Sequence, residues 1–391
     1  MATTAIYASR ILTPLEEVSD AVILVEGTKI TAIGHRDEIQ IPSDAVHYAA
    51  PGSTVVPGFV DIHIHGAGGH DVMEGNARAL DKVTETVARH GTTSIVATTV
   101  TAPVEDTCHS LEAIARYIRN HEQPQESSKL AAEILGIHLE GPFISKVQRG
   151  VHPVEALAKP SVEILEKFIK AADGLVRIVT IAPELPGATK MIEYATAAGI
   201  VAAIGHTDAD YEQARAGIQA GARHAVHTFN AMRPFTHRDP GVIGAILTDP
   251  EVTAEVIADG HHVAGPAIQV LMGSKGFETV LLVSDGIAAT GMRDGTYPLG
   301  NFKVTVKDGV ARNEEGKLAG STLTLDRALR FVVGLGVPFT DAVRMVTILP
   351  ARRIGLAGKK GILAPGCDAD IVVLTPDLRV EGVMTRGAGL V

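Results

Sequence analysis

An α/β fold is predicted here: a (β/α)8 barrel flanked by a small β-sandwich assembled from both chain ends. Three features of the 391-residue sequence predict it. The middle of the chain repeats a beat of amphipathic helix, glycine and apolar strand. Eight strands can be placed in it, beginning near Phe59, Thr93, Ala132, Val176, Ile200, His224, Thr253 and Thr279. The two ends share another grammar, β-branched runs separated by glycine turns. Eight parallel strands alternating with helices is the number that closes a barrel, although periodicity alone also admits an open doubly wound sheet.

Residues 1–56 read as short strands and hairpins: Ala21-Val-Ile-Leu-Val25, the turn Glu26-Gly27, then Lys29-Ile-Thr-Ala-Ile33. After Val56-Pro57-Gly58 the pattern becomes helical. Leu80, Val83, Val87 and Ala88 recur at helical spacing, Gly91 stops the helix, and residues 92–98 follow as a strand. Ser161 can cap a helix carrying Ile164, Leu165, Phe168 and Ile169, which Gly174 ends before the strand at 176–181. Residues 195–204 and 211–227 repeat the unit around Gly199 and Gly221. Near-continuous apolar strands are what a parallel sheet covered on both faces requires. After Pro350 the hairpin style returns at 361–366, 370–374 and 380–383. The predicted organisation is a discontinuous small domain, residues 1–56 with 351–391, around a catalytic barrel at 57–350. The polar run 120–129 reads as a surface loop.

With 46% apolar and 20% charged residues the chain is not disordered. Lys plus Arg is 35 against 45 for Asp plus Glu, a net charge of −10, which argues against nucleic acid or an anionic membrane as partner. An anionic substrate must then be held by a local positive cluster. Cys108 and Cys367 have no Cys-x-x-Cys spacing, so neither a disulfide framework nor a cysteine zinc cage is offered. The start lacks a secretory pattern and no 18-residue apolar run is present, so a cytoplasmic protein is expected.

The sharpest motif is Asp61-Ile-His63-Ile-His65-Gly66 at the end of the first barrel strand. Residues two apart on a strand point the same way, so His63 and His65 project together at the C-terminal mouth, where barrel active sites form. Four further strands end in a metal-competent or acid–base side chain: Glu140, His206, His227 and Asp285. Zinc or iron(II) accepts imidazole and carboxylate together, and a carboxylate can bridge two ions. Metal-bound water ionises near neutral pH, and an aspartate beside it can shuttle the proton to a leaving amine. The set therefore predicts metal-dependent hydrolysis of an amide-like bond. A second cluster, Arg233, His237, Arg238, His261 and His262, forms a basic patch suited to a phosphate handle. His138 reads as buried support, and His35, His47, His90, His109 and His121 as packing or surface residues. Gly66-Ala-Gly-Gly69 lacks a Walker lysine and reads as space for substrate.

The motifs Pro57-Gly-Phe-Val-Asp-Ile-His-Ile-His-Gly66, His138-Leu-Glu-Gly-Pro-Phe143, Gly205-His-Thr207, His227-Thr-Phe-Asn-Ala-Met232, Ile257-Ala-Asp-Gly-His-His-Val263 and Ser284-Asp285 resemble the amidohydrolase superfamily. Within it they resemble the N-acetylglucosamine-6-phosphate deacetylases. Gly150-Val-His152, Pro240-Gly-Val-Ile-Gly-Ala-Ile246 and Leu318-Ala-Gly-Ser-Thr-Leu-Thr324 match that family too, over essentially the whole chain. The resemblance implies Glu140, His206 and His227 as one metal's ligands. It implies His63 and His65 as holders of a second, with Glu140 bridging, and two divalent ions per subunit, zinc or iron. Asp285 would be the acid/base for a metal-activated hydroxide attacking the acetyl carbonyl. His152 and His262 would touch the sugar or polarise that carbonyl; Asn230, Ala231 and Arg238 would hold the sugar phosphate. It further implies amino-sugar catabolism and cell-wall recycling as the setting, and a homodimer in which Arg238 serves the neighbouring site.

Two other readings compete. A cyclic amidase usually bridges its metals with a modified strand-end lysine, which this sequence lacks; a deaminase is the other enzyme alternative. A non-catalytic sugar-phosphate sensor would have no use for the full ligand set together with Asp285.

Overall fold

A computed structural model describes residues 3–121, 129–300 and 302–390. Eight parallel strands form one sheet: Phe59–Ile64, Thr92–Thr99, Glu133–Glu140, Val176–Ile181, Val201–Ile204, His224–Ala225, Thr253–Val256 and Val280–Leu282, each paired with the next. The ends of the sheet meet. Ile64 bridges Gly286 in parallel, Asp285 N donates to His63 O at 2.9 Å, and His65 N to Gly286 O at 2.8 Å. The sheet is therefore a closed barrel, and the predicted strand starts lie within about one residue of the observed ones.

Helices alternate with these strands as their spacing predicts. Helix Ala77–Ala88 buries Leu80, Val83 and Val87, and Ser161 caps helix Val162–Ala171 by accepting from Ile164 N at 3.3 Å. Strand Thr92–Thr99 is buried along its whole length, as a strand sandwiched between barrel interior and outer helices must be.

The ends of the chain build one seven-stranded sheet. Its order is Ala388–Gly389, Val380–Thr385, Ile371–Leu374, Val46–Pro57, Thr3–Leu12, Glu17–Glu26, Lys29–His35. Ile371–Leu374 pairs antiparallel with residues 54–57, which stitches the C-terminal part to the N-terminal part. Among the described residues, the only parallel pair in this sheet is Thr3–Leu12 with Val46–Pro57. Apolar clusters lie on both faces, one around Ile6, Ile23 and Ile371 and a smaller one around Val22 and Leu24. Helix Ile348–Arg353 runs across position 350, and its Ala351 packs in the barrel core, so the barrel keeps that helix whole.

One element was not anticipated. Gly295–Leu299, Phe302–Lys307 and Val310–Arg312 form a three-stranded antiparallel sheet after the last barrel strand. Asp308-Gly309 joins the last two strands with positive φ at both residues (53° and 75°), the backbone of a tight primed hairpin turn. Of the predicted loop at 120–129, residues 122–128 lie outside the described residues, and Asn120 closes helix Val104–Asn120. Among the described residues no helix is long and apolar enough to cross a membrane.

Candidate active site

The barrel's closing seam explains why His63, His65 and Asp285 meet. His63 lies in the first strand, His65 just past its end and Asp285 three residues past the end of the last, and the seam makes those strands neighbours. Asp285 Oδ1 lies 3.1 Å from His65 Nε2 and 3.7 Å from His63 Nε2. Glu140, last residue of the third strand, reaches into the centre. Its Oε1 lies 3.2 Å from His63 Nε2, 3.2 Å from His206 Nε2 and 2.9 Å from His227 Nε2; its Oε2 lies 3.3 Å from His65 Nε2.

Local backbone strain aims three of these side chains. His206, His227 and Asp285 have φ of 46°, 27° and 50°, left-handed conformations that cost non-glycine residues about 1–3 kcal/mol each. Flanking hydrogen bonds hold them there: Ser145 N to His206 O at 2.8 Å, Thr228 N to Glu255 O at 2.8 Å, and Ser321 N to Asp285 O at 2.8 Å. Gly205 precedes His206 because a Cβ there would meet Val226 Cγ2 at 2.0 Å.

The arrangement fits a metal. His206 Nε2 and His227 Nε2 are 3.1 Å apart while both approach the same carboxylate oxygen. Ligand atoms on a tetrahedral ion at ~2.0–2.1 Å bond lengths stand about 3.3 Å from each other, which is the spacing found. His63 Nε2 is buried without a hydrogen-bond partner. Three overlapping groups, His63–Glu140–His227, His63–His65–Asp285 and Glu140–His152–His206, each hold their ligand atoms within 4.8 Å. The carboxylates also draw positive charge onto the rings. Burial works against a charged His65, but Asp285 and Glu140 outweigh it and carry its pKa up to about 10. Burial alone would raise the Glu140 pKa, yet His63 and His206 hold it well below the usual carboxylate range.

A cavity of about 340 Å3 opens onto this cluster. His152, Asn230, Ala231 and His262 line it, together with Asp285 and Glu140. His152 Nδ1 sits 2.7 Å from Thr101 Oγ1 and its Nε2 3.4 Å from Glu140 Oε2, so it faces the same carboxylate as the four other histidines. His262 Nδ1 donates to Asp259 Oδ2 at 2.7 Å, which fixes that ring.

The basic patch does not assemble as one surface within the chain. Arg233 is engaged by Asp239 at 2.8 Å; His237, Arg238 and His261 are exposed and do not line the cavity. The cations that do line it are Arg149, whose Nη1 donates to His152 O at 2.8 Å, and Lys317, in the turn that follows the unanticipated sheet. The Gly66–Gly69 loop does not border the cavity either. Gly68 N and Gly69 N donate to Thr290 O and Ala288 O, and a Cβ at Gly66 would meet His70 O at 2.3 Å, so these glycines allow backbone docking rather than substrate space. His138 is buried support as expected: its Nε2 lies 2.8 Å from Thr180 Oγ1, and burial pushes its pKa down to about 3, keeping it neutral.

Sequence reasoning passed over Glu255. This fully buried carboxylate lies 2.8 Å from both His63 Nδ1 and His224 Nε2. A single acid inside the strand-forming run Val252-Thr-Ala-Glu-Val-Ile257 was the available signal.

Comparison with known proteins agrees with this geometry. The amidohydrolase family model matches residues 54–388. The N-acetylglucosamine-6-phosphate deacetylase of Vibrio furnissii is 39% identical, over 97% of this chain and 93% of that one. The N-acetylgalactosamine-6-phosphate deacetylase of Escherichia coli O157:H7 is 38% identical, over 85% and 86%. A Mycobacterium smegmatis N-acetyl-D-glucosamine-6-phosphate deacetylase, solved as a point mutant with N-acetyl-D-glucosamine-6-phosphate, superimposes with a TM-score of 0.91 at 37% identity, covering both chains fully. The chain belongs to the amidohydrolase family.

Proposed function

We propose that this chain hydrolyses the acetamide of N-acetyl-D-glucosamine 6-phosphate, yielding D-glucosamine 6-phosphate and acetate. The observation that carries the reading is the convergence of His63, His65, His206 and His227 on the Glu140 carboxylate, with Asp285 beside His65, at the floor of a sugar-sized cavity. Those four histidines and Glu140 would hold the divalent metal, zinc or iron(II), two ions per chain. A bound cation supplies Lewis acidity and makes water acidic enough to ionise near neutral pH.

The chain's own groups do the rest. Asp285 Oδ1, beside His65 Nε2, accepts a proton from the attacking water and returns it to the departing sugar nitrogen. His152 and His262, each steadied at Nδ1 by Thr101 or Asp259, present their Nε2 atoms to the acetyl oxygen and the sugar hydroxyls. Asn230 and Ala231 line the end of the cavity that receives the phosphate. Arg238, exposed and outside its own chain's cavity, suits a homodimer in which it reaches the neighbouring substrate. The setting is cytoplasmic amino-sugar catabolism and cell-wall recycling, and the working unit is the barrel from residue 57 through helix Ile348–Arg353, with residues 1–56 and the chain after that helix as its supporting domain.

The Escherichia coli relative favours a second reading, the galactosamine epimer of the same substrate. Acetate release measured on N-acetylglucosamine 6-phosphate, its galactosamine epimer and unphosphorylated N-acetylglucosamine decides among them, in metal-stripped and metal-restored protein. Turnover of the phosphorylated glucosamine, restored by metal, is expected. No acetate from either phosphorylated sugar in metal-replete protein rejects the proposal.

A further inference from the structure

We infer that Glu255 is the positioning residue for one metal ligand, holding His63 through Nδ1 so that Nε2 is the atom presented to the ion. The inference rests on the metal centre proposed above. The four ligand histidines differ in what stands behind them. His65 Nδ1 and His206 Nδ1 face main-chain carbonyls, Thr98 O and Gln148 O, each at 3.0 Å. His227 Nδ1 is buried with no hydrogen-bond partner among the described residues. His63 Nδ1 alone of the four faces a carboxylate, Glu255 Oε2 at 2.8 Å, and its Nε2 is directed at Glu140 Oε1 3.2 Å away.

Glu255 is itself fixed from three sides. Its Oε1 lies 2.8 Å from His224 Nε2, and that ring is anchored at its other nitrogen, 2.7 Å from Thr253 Oγ1. Its Oε2 also accepts from His227 N at 3.1 Å. One oxygen thus touches the ring of one ligand and the main chain of another, on strands that are not neighbours. A carboxylate is an acceptor only, so His63 presents N–H at Nδ1, and in the neutral ring that leaves the lone pair at Nε2. Fully buried, Glu255 also adds negative charge behind the ligand, which makes the imidazole a stronger donor to a cation.

The test is metal binding rather than turnover. Cobalt(II) is titrated into metal-stripped native protein, Glu255→Gln and His224→Asn, following the visible absorption of the bound ion and the ions held per chain. Glu255→Gln keeps the volume and removes the charge; Glu255→Ala is added where it folds. The native chain is expected to bind two ions. Glu255→Gln should lose roughly 10- to 100-fold in affinity for one of them, with an altered spectrum. His224→Asn, which cuts only the far arm of Glu255, should bind both as the native chain does. Native affinity and spectrum in Glu255→Gln overturn the inference, as does an equal loss in His224→Asn, which would make the effect a general disturbance of the core. A native chain that binds no divalent ion instead sinks the metal centre itself, so the two failures are distinguishable.

Discussion

Strand Glu133–Glu140 carries a buried or half-buried acid at each end, and the two ends of the barrel treat these acids differently. At the N-terminal end Glu133 meets Lys360, a fully buried lysine whose Nζ lies 2.5 Å from Glu133, 2.9 Å from Asp368 and 2.7 Å from Asp370. Lys29 adds a second ammonium 2.6 Å from Asp368. At the C-terminal end Glu140 faces five histidines, His63, His65, His152, His206 and His227. The first cluster contains its own permanent cations and ties the two-ended sheet to the barrel. The second offers only imidazoles, which are neutral ligands once deprotonated, and leaves strong positive charge to be brought from outside. That difference separates a structural cluster from a chemical one: buried charge left for an ion to neutralise marks the working end.

Four outcomes would sharpen or break this contrast. Asp285→Asn should lower turnover by roughly 10²- to 10⁴-fold while metal content, read by atomic emission, stays native; near-native turnover removes the acid/base role. Lys360→Met should lower unfolding free energy by about 3–5 kcal/mol, because three carboxylates are left around an uncharged side chain. Its turnover per folded molecule should be native, and a denaturation midpoint equal to the native one would show that the cluster carries no net stability.

The pH dependence of that gap is the third. Burial alone would lower the Lys360 pKa, but Asp370, Glu133 and Asp368 carry it above the usual lysine range. Its stabilisation is therefore complete below the unfolded lysine value of about 10.4 and fades only as pH climbs through the higher folded value. Asp368, whose carboxyl Lys360 and Lys29 hold down against burial, contributes above about pH 4 and loses its contribution as pH falls through its folded value. Urea denaturation of native and Lys360→Met protein should show a gap that is flat from about pH 6 to 9 and narrows in acid. A gap that shrinks between pH 6 and 9 contradicts the assignment. Smallest, Arg238→Ala should raise KM for the phosphorylated sugar by roughly tenfold with kcat little moved, the size of one lost charge-assisted hydrogen bond. An unchanged KM disqualifies Arg238 as the phosphate clamp.

Much of this was legible before any coordinates. His63, His65, Glu140, His206, His227 and Asp285 could be picked out because each ends an apolar run before a polar or glycine-rich loop, and barrel strands all deliver their ends to one rim. The hairpin at Asp308-Gly309 was equally legible but lay among residues assigned wholesale to the barrel. Glu255 was harder. A lone acid on a strand announces that it needs a partner, but its partners His63 and His224 sit 192 and 31 positions away. The basic patch does not form one surface within a single chain, because formal charges add in a sequence, whereas in the fold Asp239 engages Arg233 and Arg238 is exposed.

Periodicity and capping are local, and they determined the strands, the helices, the two-ended sheet and the ring of side chains at the strand ends. Which of those side chains touch depended on the seam between the first and last strands, on left-handed turns at His206, His227 and Asp285, and on pairings such as Lys360 with Glu133. These are contacts between residues far apart in the chain. Their energies depend on distance and burial in three dimensions, and no spacing along the sequence encodes either.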